Sequence, residues 1–143
     1  MENKTINCNG IKISNNSSLT LISGPCQLET EQHAIEMAGK IKEITDKFGI
    51  GFIYKTSFDK ANRTSLAGKR GAGLDKSLPV FDKIKKDLKI PVLTDVHSEE
   101  QCSLVSKHVD IIQIPAFLCR QTDLLISAAK TNKIINVKKG QFL

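Results

Sequence analysis

FIYKTSFDKANRTS, residues 52–65, decides the fold. Phe52, Ile53 and Tyr54 read as a buried strand, and Lys55 opens a run that adds Lys60, Asn62, Arg63 and the hydroxyls of Thr56, Ser57, Thr64 and Ser65. A solvated loop is the plain explanation of such a run. The alternative is an α/β protein, in which ligands sit outside the carboxyl ends of the strands, where this cluster starts.

On both sides of this stretch the chain alternates. Upstream, Asn9-Gly10 between two short apolar runs signals a hairpin over residues 4–13. LTLIS reads as a strand ending at Gly24-Pro25. Thr30 then caps a helix with apolar positions Ala34, Met37, Ala38, Ile41, Ile44 and Phe48, which Gly49 ends. Downstream, Leu74, Leu78, Phe81, Ile84 and Leu88 share one helix face, and Pro91 opens the strand PVLTDV. A short helix over 99–107 leads to DIIQI, closed by Pro115. TDLLISAAK is a helix with Thr122 as its cap, and IINVKK is a further strand.

Near-continuously apolar strands separated by helices imply a parallel sheet covered by helices. SGPCQLET at the first turn lacks the G-x-G-x-x-G of a dinucleotide fold, and GAG at 71–73 adjoins no strand, which favours a (β/α)8 barrel over an open doubly wound sheet. Eight units take about 250 residues. The expectation is therefore the N-terminal part of one barrel domain: a hairpin over 1–14, then over 19–143 four βα units and a fifth strand.

Composition narrows the function. The net charge of +6 suits anionic partners, but with no Trp, one Tyr and no basic-aromatic interleaving, nucleic acid is disfavoured. No apolar run is long enough for a membrane span, and the N-terminus lacks the apolar stretch of a signal peptide; the cytoplasm is the default. Cys8, Cys26, Cys102 and Cys119 have neither zinc-knuckle nor C-x-x-C spacing.

The strand ends carry Cys26, Lys55, Asp95 with His97, Gln113 and Lys138. In a barrel these converge on one rim, which suggests a shared site. Taken singly, Cys26 suits a small core position, Asp95 a helix cap, and His97 packing or metal binding. Lysines that end apolar strands either snorkel or meet an anion. With Arg63, Thr64 and Ser65 they suit two anionic groups, hence phosphorylated small substrates.

KTSFDKANRTS, TDVH at 94–97, QIPAFLCRQTDLL at 113–125 and NVKKGQF at 136–142 together resemble 3-deoxy-D-manno-octulosonate 8-phosphate synthase across the whole chain. The resemblance implies a (β/α)8 enzyme that condenses phosphoenolpyruvate with arabinose 5-phosphate, releases phosphate, and serves lipopolysaccharide biosynthesis. It implies that Lys55, Lys60, Gln113 and Lys138 bind phosphoenolpyruvate, with Lys60, Asp95 and Lys138 in the catalytic set. Asn62, Arg63 and Thr64 would hold the pentose phosphate; Thr64 replaces the family's usual serine but keeps a hydroxyl. Asp95 would contact the sugar, Pro115 and Ala116 would shape its channel, and Arg120 would reach the phosphate in a neighbouring subunit of a homotetramer. Cys26 resembles the metal-ligand cysteine of the metal-dependent class, for Zn2+, Fe2+ or Mn2+, with the other ligands expected beyond Leu143.

Two alternatives stand beside this reading. One is the related 3-deoxy-D-arabino-heptulosonate 7-phosphate synthase, which takes erythrose 4-phosphate; Ala61-Asn62 speaks for the longer sugar, since that enzyme resembles KPRTS at this loop. The other is a silent phosphosugar-binding fragment, and the fragment alone is expected to be inactive.

Overall fold

The structure, a computed structural model, describes residues 4–141. It begins with an antiparallel hairpin, β1 (Ile6–Cys8) and β2 (Ile11–Ile13). Asn9 at φ 49° and Gly10 at φ 90° both adopt positive φ, the requirement of the two-residue turn that matches strand twist.

The body alternates β3 (Thr20–Ser23), α1 (Glu31–Lys47), β4 (Gly51–Lys55), α2 (Leu74–Leu88), β5 (Val92–Asp95), α3 (Glu99–Val105), β6 (Ile111–Ile114), α4 (Thr122–Lys130) and β7 (Ile134–Val137). The five strands β3 to β7 pair in chain order, all parallel, in one curled sheet that forms half of a barrel. The expected fold class holds.

The two-residue period of the strands separates two layers. Phe52, Tyr54, Val92, Ile112 and Ile114 face the helices in the main core, with Ala34, Ala38, Phe81, Ile84 and Leu124. Ile53, Leu93 and Ile111 face the other way and are closed over by Cys8, Ile11 and Ile13 of the hairpin. One step further along that inner face stand Lys55, Asp95 and Gln113. The inner face is thus apolar toward the hairpin and polar at the carboxyl ends. Asp110 fastens the hairpin to the sheet: Oδ1 accepts from Asn9 Nδ2 at 3.0 Å and lies 3.1 Å from Lys85 Nζ, while Oδ2 accepts from Val92 N at 3.0 Å.

Several local expectations need correction. Thr30 does cap α1, accepting from His33 N at 3.2 Å. Ile44 and Phe48, expected on its buried face, are exposed. The buried line runs Ala34, Ala38, Thr45, and Thr45 is accommodated because its hydroxyl donates back to Ile41 O and Lys42 O at 3.0 Å. Thr122 is the first residue of α4, and Gln121 occupies the cap position. The chain reaches it through an unforeseen 3-10 turn, Ala116–Leu118. The helix expected over 99–107 stops at Val105, and Lys138 and Lys139 lie beyond β7, although Lys138 N still donates to Ile114 O at 3.0 Å.

Candidate active site

A cleft of about 520 Å³ opens at the carboxyl ends of the strands. It brings together Cys26, Lys55, Lys60, Asn62, Asp95, His97, Gln113, Pro115, Ala116 and Lys138, from five strands or the loops that follow them. Arg63 lines a neighbouring depression of about 390 Å³ that shares Cys26 and Lys60. Thr64 and Arg120 line neither, and both are exposed.

Lys55 ends β4 and owes its position to a close approach. A Cβ on Gly24 would lie 2.0 Å from Lys55 O, so only glycine lets the β3 exit pass there. Lys60 is held by its backbone, its N donating to Arg70 O at 2.6 Å. The Arg70 guanidinium grips the Asp59 carboxylate through both oxygens, with Nε to Oδ1 at 2.7 Å, and closes the neck of the loop. The hydrogen bond from Arg70, with its charge, outweighs burial and holds the Asp59 carboxyl below its ordinary range. Within the described residues no ion pair engages the ammonium groups of Lys55, Lys60 and Lys138.

Asp95 ends β5 and is buried. His97 Nε2 donates to its Oδ2 at 2.9 Å, and the imidazole packs tilted against Phe58, ring centres 5.4 Å apart. Burial pushes the Asp95 carboxyl up, but the hydrogen bond and charge of His97 prevail and leave it below the usual carboxylate value. Ser57 donates its own proton to Asp59 O at 3.0 Å, so Asp95 Oδ1 remains a buried acceptor with no partner. The helix-cap role falls instead to Ser98 by position.

Gln113 reaches the cleft from β6, and its Oε1 accepts from Asn136 Nδ2 at 3.1 Å. Arg63, expected to grip a phosphate, donates to loop carbonyls, Nη1 to Ala61 O at 3.1 Å and Nη2 to Leu66 O at 2.9 Å. Cys26 is exposed at the rim. Among the described residues no three His, Cys, Asp or Glu side chains group to hold a metal, so Cys26 offers one donor and not a site.

Ser57, Asp59, Phe117, Leu118 and Gln141 also line the cleft, and sequence reading gave them no role there. Ser57 and Asp59 stand inside the polar run that begins at Lys55, so that run was their signal. Phe117 and Leu118 depend on the 3-10 turn, which has no comparable mark.

Three ammonium groups with no ion pair among the described residues, in one cleft with a buried carboxylate at the carboxyl ends of a parallel half-barrel, define an α/β protein of barrel type with a cationic cleft. The chain belongs to the DAHP synthetase I family, whose model matches residues 2–143. It is 61% identical over 141 residues to the 2-dehydro-3-deoxyphosphooctonate aldolase of Mesorhizobium japonicum, covering 99% of this chain and 51% of that protein. It is 66% identical over 129 residues to the protein of that name from Chelativorans sp., covering 90% and 47%, and 62% identical over 141 residues to that of Brucella ovis, covering 99% and 51%. The chain spans about half the length of the curated relatives it matches.

Proposed function

We propose that the protein carrying this chain condenses phosphoenolpyruvate with D-arabinose 5-phosphate and water to give 3-deoxy-D-manno-octulosonate 8-phosphate and inorganic phosphate, in lipopolysaccharide biosynthesis. The observation that carries the proposal is the meeting of Lys55, Lys60 and Lys138, all without ion-pair partners in the described residues, with buried Asp95 in one cleft. The name shared by the relatives, 2-dehydro-3-deoxyphosphooctonate aldolase, supports this sugar over the heptulosonate alternative. In this reading the chain is the N-terminal part of a single barrel; of the hairpin expected over 1–14 and the βα units expected over 19–143, residues 1–3, 142 and 143 lie outside the described residues.

C3 of the enol forms a bond to the aldehyde carbon, water adds at C2, and the C2–O bond breaks to release phosphate. Lys55, Lys60, Lys138 and the Gln113 amide meet the carboxylate and phosphate of phosphoenolpyruvate and hold C3 facing the aldehyde. Asp95 Oδ1, buried without a partner, accepts a sugar hydroxyl beside the reacting end. Pro115 and Ala116 wall the channel. Asn62, Arg63 and Thr64 take the sugar phosphate, for which Arg63 must exchange its bonds to the Ala61 and Leu66 carbonyls for phosphate oxygens. Arg120, exposed and outside this cleft, serves a neighbouring subunit's phosphate in a cytoplasmic homotetramer.

Cys26 enters as one thiolate donor to a divalent metal, Zn2+, Fe2+ or Mn2+, whose chemistry is to polarise bound oxygen.

The test is phosphate release from phosphoenolpyruvate by the protein of the complete reading frame, with arabinose 5-phosphate or erythrose 4-phosphate, with and without a chelator. Release with the pentose supports the proposal, and preference for erythrose 4-phosphate assigns the heptulosonate reaction. Binding without turnover of either leaves a binding protein. Chelator-resistant activity removes the metal role of Cys26.

A further inference from the structure

Gln113 and Asn136 are register partners on the adjacent parallel strands β6 and β7, so their side chains leave the same face of the sheet. That face is the inner one, which Ile111 and Ile134 fill nearer the hairpin. Asparagine is a poor strand former, and an amide in the middle of a four-residue strand breaks the local rule that Ile134, Ile135 and Val137 follow. Such departures in an otherwise consistent strand mark sites where side-chain chemistry outweighs propensity.

The hydrogen bond between the two amides decides which end of Gln113 faces the cleft. An amide pair can run in either sense, because each group carries both a donor and an acceptor. Here Asn136 donates and Gln113 Oε1 accepts, at 3.1 Å. This leaves the Gln113 NH2 group, which makes no hydrogen bond to another described residue, available in the cleft that Lys55, Asp95 and Lys138 also line. The opposite sense would leave a carbonyl oxygen available there instead, and an anion drawn into the cleft by its ammonium groups would meet a repelling dipole.

We propose that Asn136 is a positioning residue that fixes the polarity of the Gln113 amide, so that its NH2 group donates to an anionic oxygen of the ligand in the cleft. Resting on the reading given under Proposed function, that oxygen belongs to phosphoenolpyruvate. Asn136 itself does not line the cleft and acts through Gln113.

The test is a double-mutant cycle in the complete enzyme, read as the KM of each substrate. Asn136→Asp has the same shape but only accepts, so it turns Gln113 round; Asn136→Leu removes the donor without adding charge. Loss of one hydrogen bond to a charged group predicts a KM for phosphoenolpyruvate raised about tenfold or more by Asn136→Asp and several-fold by Asn136→Leu, with the aldose KM changed less than about twofold. In a Gln113→Ala background Asn136→Leu, which adds no charge, should then add less than about twofold. Equal effects in the two backgrounds, or an unchanged phosphoenolpyruvate KM in the first, would overturn the positioning role while leaving the reaction in place. A wild-type enzyme that ignores phosphoenolpyruvate would overturn the reaction and this inference together.

Discussion

The α-carbon of Gly24 lies so close to the backbone of Lys55 that a methyl group there would sit 2.0 Å from the Lys55 carbonyl oxygen and 3.1 Å from the Tyr54 ring. Both neighbours are fixed, Lys55 by its pairing with Leu93 of β5 and Tyr54 by complete burial. Gly24→Ala should therefore push the end of β4 outward and carry the Lys55 ammonium with it. Overpacking of this kind costs about 1–3 kcal/mol, and a misplaced binding group costs about a hundredfold in rate. The expected result is a lower melting temperature together with a fall in kcat/KM for phosphoenolpyruvate of about tenfold to a hundredfold. A variant that melts earlier but keeps its kcat/KM would show that Lys55 is not held by this contact.

The strand ends were legible because a buried strand that terminates in Lys55, Asp95 or Gln113 contradicts its own hydrophobic pattern, and the contradiction marks the rim. Helix faces were less so. Ile44 and Phe48 are large and apolar at helical spacing, yet Thr45 is the residue α1 buries, because its hydroxyl finds acceptors one turn back. Size and polarity rank Thr45 below its neighbours; hydrogen-bond satisfaction reverses the ranking. The 3-10 turn at Ala116–Leu118 was hidden for another reason. Pro115 marks the end of β6 but not the conformation that follows, and the Thr122 hydroxyl mimics a cap that Gln121 occupies in fact. Motif resemblance could name Thr64 and Arg120 as ligand residues, but only geometry shows that neither lines this cleft.

Asp95 carries the second prediction. His97 holds its carboxyl below the ordinary value of 3.8 despite burial, so it is ionised throughout neutral conditions. A depressed carboxyl stabilises the fold above its unfolded pKa, and that contribution is lost as pH falls through the folded value. Asp95→Asn keeps the shape and removes the charge. The acid limb of the unfolding curve, below about pH 4, should become shallower in the variant. At neutral pH, kcat should fall by about a hundredfold or more, because the buried acceptor proposed to meet the sugar is exchanged for an amide of mixed polarity. Urea unfolding at stepped pH, beside steady-state kinetics, checks both; an unchanged kcat would remove Asp95 from the site.

The hairpin end of the sheet makes the last prediction, and it joins a titration to a clamp. Burial, then the negative charge of Asp110, push the Cys8 thiol up to about 11, while Lys85 acts in the opposite sense. In the unfolded chain the thiol ionises near 9.0. Between these values the unfolded state has lost a proton that the folded state keeps, so stability falls as pH rises, by at most about 1.4 kcal/mol per pH unit. Cys8→Ala should flatten this alkaline slope. Asp110→Asn should lower the pH at which Cys8 reacts with an alkylating reagent, because the second cause of its shift is gone. The same substitution weakens the hold on Asn9, Lys85 and Val92, and should cost about 1–3 kcal/mol of stability at neutral pH. Faster amide exchange should then appear in β1 and β2 before it appears in β5, since Asp110 ties the hairpin to a strand that has neighbours on both sides. Uniform acceleration across the sheet would mean that the hairpin and the half-barrel unfold as one unit, and that Asp110 supports the whole and not the hairpin alone.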